Sequence, residues 1–191
     1  ALLRESAADV GNDHRLGANE APPAIISVFL GTQLTDVMNQ LITTGMADHS
    51  IGSEKLETGV KSIPEFMRDT TDRNRTSPFA FTGNKFEFRM LGSSASVASP
   101  NVVLNTAVAE ALAQFYKELE GTAPEDMETA VHELIKRAIR KHKKVIFNGN
   151  GYTDEWIKEA EERGLYNLVS TPDALPQFIA DKNIELFTKH S

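Results

Sequence analysis

Between Lys85 and Met90 the sequence runs Lys-Phe-Glu-Phe-Arg-Met, alternating charged and apolar without a break. A period of two belongs to an extended strand, and on a helix the same residues would scatter around the axis. Phe86, Phe88 and Met90 therefore fall on one face, and Lys85, Glu87 and Arg89 on the other. Charges at i, i+2 and i+4 of a strand stand roughly 7 Å apart. A carboxylate between two cations stays ionised. It suits a hard divalent cation, while the flanking Lys85 and Arg89 suit anionic oxygens. Arg73 and Arg75 lie just upstream, on a polar stretch leading into the strand. The same pattern describes a solvated charge ladder on a half-buried antiparallel sheet, and pattern alone favours that plainer reading.

Such a strand needs a core, and 191 residues with 40% hydrophobic side chains can supply one of ordinary size. The net charge of −7 argues against a general nucleic-acid binder. Cysteine is absent, which removes disulfides and thiolate metal sites and fits a reducing, cytoplasmic compartment. No apolar run approaches the ~20 residues of a membrane helix, and no signal peptide is visible. The chain opens without Met, in mid-pattern, and reads as a piece of something longer.

Periodicity and punctuation place the other elements. Ala1–Val10 reads as the tail of a helix lost at Gly11, followed by a Gly-, Pro- and Asn-rich loop to Pro23. Ala24–Leu30 reads as a buried strand. Leu34, Val37, Met38, Leu41 and Ile42 repeat at helical spacing, with Thr32 as N-cap and Gly45 as stop. Met46–Thr71 has no period, and aperiodic stretches of that length are lids or disordered. Ser99-Pro100 opens a helix with an apolar stripe from Leu104 to Leu119, closed by Gly121. Thr122–Glu125 has capping-box spacing before a helix that begins acidic and ends basic. Asn148-Gly149-Asn150-Gly151 signals a turn and lacks the ending of a phosphate loop. Thr153–Gly164 reads as a short helix anchored by Trp156. Thr171-Pro172 opens the last helix, with Leu175, Phe178, Ile179, Ile184 and Leu186 as packing residues.

Two motifs in order resemble glutamine synthetase, specifically its type III form. Asn74-Arg75-Thr76 followed by Glu87-Phe88-Arg89 is similar to that family's Asn-Arg-Ser/Thr segment and Glu-x-Arg strand. Upstream, Arg15-Leu16-Gly17-Ala18-Asn19-Glu20-Ala21-Pro22 resembles its flap segment. The resemblance implies an α/β (α+β) fold. Residues 1–121 would be the antiparallel-sheet half of a glutamine synthetase/guanidino kinase-like catalytic domain, and 122–191 a helical C-terminal region. It implies ATP-dependent ligation of ammonium to L-glutamate through a γ-glutamyl phosphate, with Mg²⁺ or Mn²⁺ bound.

Residue by residue, the resemblance makes Glu87 a metal ligand and Arg89 a glutamate-site arginine. Arg75 and Lys85 become nucleotide-phosphate contacts, Arg75 also being catalytic. Arg15 would meet the substrate carboxylate, and Glu20 would take a proton from ammonium. Lys85 stands where many members carry arginine, keeping charge and losing the bidentate fork. Ala80 stands where common forms carry a further arginine, the flap is about one residue shorter, and Gly31–Thr71 is an insertion associated with type III enzymes.

The resemblance also implies a homo-oligomeric ring, a dodecamer, with active sites built between subunits. It implies no nucleic-acid or membrane partner. One carboxylate cannot satisfy a cation that wants six or more oxygens, so this stretch is expected to be inactive by itself. The alternatives are a related glutamate–amine ligase or guanidino kinase-like phosphotransferase, and a non-catalytic assembly or regulatory module.

Overall fold

The computed structural model describes residues 1–18, 21–51, 55–56, 66–67, 76–92 and 94–190. Glu20, Arg73, Arg75 and most of the aperiodic insertion lie outside the described residues.

The alternating stretch forms a hairpin whose first strand the alternation did not announce. Strand β4 (Phe79–Phe81) pairs antiparallel with β5 (Phe86–Phe88), matching Phe79 with Phe88, Ala80 with Glu87 and Phe81 with Phe86. The turn closes through Thr82 N donating to Lys85 O at 2.8 Å, with Gly83 at φ +96°. A positive φ is cheap only for glycine there, and Gly-Asn between alternating runs is a hairpin signal. Phe79, Phe81, Phe86 and Phe88 share one face, with Phe79 stacked on Phe86 at 5.4 Å between ring centroids. That face is incompletely covered, since Phe86 is 47% exposed. The opposite face carries Glu87 beside Ala80, which is fully buried.

On the far side of β4 lies β1 (Val28–Phe29), parallel to it, giving a three-stranded sheet in the order β1-β4-β5. The sheet is therefore mixed rather than antiparallel throughout. Strand β1 is also shorter than the expected Ala24–Leu30 strand. Ala24, Ile25 and Leu30 are buried as expected, but only two residues join the ladder. A separate antiparallel pair, β2 (Lys55–Leu56) and β3 (Phe66–Met67), lies within the insertion.

Helices make up most of the rest, so the architecture is a helix-rich α/β mixture. The N-terminal segment is two short turns, α1 (Leu2–Glu5) and α2 (Val10–Asp13), rather than one helix ended by Gly11. Asp9 accounts for the difference, because its side chain accepts from Gly11 N at 2.6 Å and starts a new turn.

Helix α3 (Gly31–Thr43) lacks the expected Thr32 cap. Its N-terminal amides are satisfied from a distance: Asn148 Oδ1 accepts from Leu30 N at 3.0 Å and Gly31 N at 3.1 Å. Asn148 Nδ2 in turn donates to Thr35 Oγ1 at 2.9 Å. Near the other end, Arg140 donates to Ile42 O at 3.0 Å. The turn and the basic helix end of the second half thus serve as caps for a helix of the first.

Helix α4 (Ala98–Leu119) begins before the expected Ser99-Pro100, with Ser96 Oγ accepting from Ala98 N at 3.2 Å. Its apolar stripe is only partly core. Leu104, Ala111, Phe115 and Leu119 are half-buried, whereas Val108 and Leu112 stand in solvent, Leu112 at 60% exposure; the buried residue of the helix is Val103, just before the stripe. The capping box expected at Thr122–Glu125 does not form. A 3₁₀ turn (Pro124–Asp126) precedes α5 (Met127–His142) instead, without a side-chain cap.

Helix α6 (Asp154–Glu162) is capped by Thr153, whose hydroxyl accepts from Trp156 N. Trp156 is 1% exposed and stacks on Phe147 with centroids 3.7 Å apart, while Arg163 lies over its ring. With Ile25 and Ala160 it forms the buried cluster that joins the beginning of the chain to its end. The expected last helix is two, α7 (Thr171–Ala174) and α8 (Asp181–Lys189). Ser170, one residue before the expected start, is the N-cap of α7 and forms a full capping box with Asp173. Leu175, Phe178, Ile179 and Ile184, expected to pack, are largely exposed. No helix among the described residues is long and apolar enough to cross a membrane.

Candidate ligand-binding site

The row Lys85–Glu87–Arg89 is assembled as the alternation requires. Lys85 Nζ lies 3.0 Å from Glu87 Oε1, and Arg89 donates to Glu87 Oε2 through Nη2 at 3.1 Å and Nε at 3.3 Å. Each carboxylate oxygen thus faces one cation. The hydrogen bond from Lys85, then that from Arg89, holds the Glu87 carboxyl below its ordinary pKa. Lys85 is exposed, while Arg89 is mostly covered. The backbone fixes Arg89 further, since its N donates to Pro78 O at 2.7 Å. An anionic ligand approaching this row meets one exposed cation and one largely covered cation, either side of a carboxylate.

Arg15 sits in the turn after α2, where its N donates to Asn12 O at 3.0 Å. Asn12 is buried, and its side chain donates to Leu91 O, two residues beyond Arg89. One hydrogen bond therefore ties the Arg15 turn to the end of the charged strand. After that turn, Gly17 N donates to the carbonyls of Ala21 and Pro22, each at 3.2 Å. Of the sequence-derived candidates, Lys85, Glu87 and Arg89 form one row, and Arg15 is linked to it through Asn12. Glu20 and Arg75 lie outside the described residues.

A divalent cation would find one carboxylate in this row. Among the described residues no group of three His, Cys, Asp or Glu side chains is placed to hold a metal ion. Glu87 alone does not fit a cation that requires six or more oxygens.

Sequence reasoning missed the residues that hold this region together. Arg4 is buried, donating through Nε to Leu168 O at 2.9 Å and through Nη2 to Val169 O and Asp13. Asp13 also accepts from Thr171 N at 2.6 Å and Thr171 Oγ1 at 2.9 Å, and so caps α7 from across the molecule. Burial opposes ionisation of Asp13, but the bonds from Thr171 and Arg4 outweigh it and its pKa is lowered. Nothing in the spacing of Arg4, Asp13 and Thr171 marks them as partners.

The model of the glutamine synthetase C-terminal domain matches residues 130–191. The chain is 50% identical over 190 residues to the type-3 glutamine synthetase of Dictyostelium discoideum, covering 98% of this chain and 26% of that protein. It is 45% identical over 190 residues to a glutamine synthetase of Butyrivibrio fibrisolvens, covering 99% of this chain and 27% of the relative. A glutamine synthetase of Bacteroides fragilis (strain YCH46) is 44% identical over 181 residues, covering 93% and 25%. The chain thus spans about a quarter of the length of the curated relatives it matches.

Proposed function

Because this chain belongs to the glutamine synthetase family, we propose that it forms part of the active site of an enzyme ligating ammonium to L-glutamate at the expense of ATP, of the type III form. In this reading a glutamate γ-carboxylate oxygen attacks the γ-phosphorus of ATP. An O–P bond forms, the bond to the ADP oxygen breaks, and a γ-glutamyl phosphate results. Ammonia then attacks the acyl carbon, a C–N bond forms, and the C–O bond to phosphate breaks. Catalysis of both steps rests on positioning and charge neutralisation.

The observation that carries the reading is the Lys85–Glu87–Arg89 row, cations on both sides of an ionised carboxylate, tied to the Arg15 turn. Arg89 is the largely covered cation and suits the substrate carboxylate, with Arg15 from the adjoining turn. Lys85 is the exposed one and suits nucleotide phosphate, together with Arg75. Glu87 is one oxygen ligand of a divalent cation, Mg²⁺ or Mn²⁺, whose other donors come from outside this row. Glu20 on the flap accepts the proton that ammonium must lose.

The test is made on the complete enzyme. Glutamate, ammonium and ATP with Mg²⁺ should give glutamine, ADP and phosphate in equal amounts. Phosphoryl transfer to a different acceptor, with no glutamine formed, would assign the row to a kinase-like relative.

A further inference from the structure

The turn Asn148–Gly151 has no part in the reaction as read above, yet it lies against both segments that frame the site, at the backbone of Thr76 and the ring of Pro23. Gly151 is buried, and a Cβ placed on it would stand 2.6 Å from Thr76 O, 3.3 Å from Pro23 Cγ and 3.5 Å from Pro23 Cδ. The first distance is far inside van der Waals contact, and the atom met is backbone, which cannot swing aside as a side chain would. Glycine is therefore needed here for space. Its φ is not positive, so conformational freedom is not the reason.

Each neighbour leads directly to a site residue. Thr76 follows Arg75 in sequence and precedes buried Ser77 and Pro78, and Pro78 O accepts the hydrogen bond that fixes Arg89 N. Pro23 closes the segment whose carbonyls at Ala21 and Pro22 bind Gly17 N, two residues from Arg15. A displacement at Gly151 thus reaches Arg89 through half-buried Thr76 and buried Ser77 and Pro78, and reaches the Arg15 turn through the segment ending at Pro23. We propose that Gly151 is a positioning residue: the surface against which the Thr76–Pro78 segment and the flap base are set, fixing Arg89 and Arg15 for the glutamate substrate. The inference rests on the glutamine-forming reading.

The experiment compares variants of the complete enzyme. Gly151→Ala should raise KM for glutamate by about tenfold or more, since displacements near 1 Å can cost two orders of magnitude in reactivity. Asn148→Ala is the control. It removes stability from the same turn by uncapping α3, without pressing on Thr76, and should leave that KM within about twofold of wild type at an equal loss of Tm. Should Gly151→Ala fail to fold, Pro23→Ala withdraws the ring from the same contact without adding bulk, and should also raise KM for glutamate. Wild-type activity with KM unchanged in the Gly151 and Pro23 variants overturns the positioning role alone. So does a KM that rises equally in Asn148→Ala, because the effect then follows stability. A wild-type enzyme that makes no glutamine overturns the functional reading and this inference with it.

Discussion

Asn148→Ala offers a stability test that reads long-range capping directly. The substitution removes the only side-chain acceptor given to Leu30 N and Gly31 N among the described residues, and the partner of Thr35 Oγ1. Losing an N-cap acceptor costs about 0.5–2 kcal/mol, and a buried donor left without a partner costs about 1–3 kcal/mol. Leu30 and Gly31 are both buried, so water cannot fully replace the lost oxygen. The two figures describe overlapping effects, and the expected loss is about 2–3 kcal/mol. For a chain of this size that corresponds to a fall in Tm of roughly 4–12 °C. Trp156 is the only tryptophan and lies in the core, so its fluorescence during urea unfolding reports the change. Asn148→Asp keeps the acceptor and adds negative charge at a helix N-terminus, which should hold the loss within about 1 kcal/mol. Equal destabilisation by Ala and Asp, or a loss below about 0.5 kcal/mol for Ala, would refute the cap.

Trp156→Ala should cost about 3–5 kcal/mol, since it empties the cluster that joins Ile25 and Phe147, and a small shift of the urea midpoint would contradict that packing. Glu110 accepts from Lys189 Nζ at 2.5 Å and His190 Nε2 at 2.7 Å, and these bonds, with one from Gln114, lower its pKa to about 2. A depressed carboxylate pKa stabilises the fold above the ordinary value of 4.5 and loses that contribution as pH falls towards about 2. Amide exchange in α8 should accordingly quicken across that window, and Glu110→Gln should remove the pH dependence. In the complete enzyme, Glu20→Gln should still form the acyl phosphate, seen as glutamate-dependent ATP hydrolysis, while glutamine production falls much further. A parallel fall in both rates would remove Glu20 from the role of base.

The charged row was legible because strand periodicity is local: six alternating residues suffice to put Lys85, Glu87 and Arg89 on one face. The helix around Trp156 was legible for the same reason. The residues that tie the fold together around the site were not, because each acts across a long stretch of sequence. Asn148 caps a helix more than a hundred residues upstream, Asp13 caps one near the end of the chain, and Gly151 matters through a contact with Thr76. In isolation, Asn-Gly-Asn-Gly signals only a turn. The capping errors share a cause. Thr32 and Thr122 have the right side chain at the right spacing, but Asn148 takes the first role and a 3₁₀ turn replaces the second. The α4 stripe misled in the other direction, since amphipathic spacing shows which face is apolar and not whether this chain covers it.

The Mg²⁺ dependence of Glu87→Ala in the complete enzyme most directly separates a ligand-holding row from a salt-bridged ladder. Removing the carboxylate takes away one anionic oxygen ligand and the negative charge that lies between Lys85 and Arg89. If Glu87 contributes to the cation site, the Mg²⁺ concentration for half-maximal glutamine formation should rise about tenfold or more, with the excess metal restoring part of the rate. An unchanged Mg²⁺ midpoint, with activity lost only in step with stability, would contradict the claim and return Glu87 to a structural ion pair.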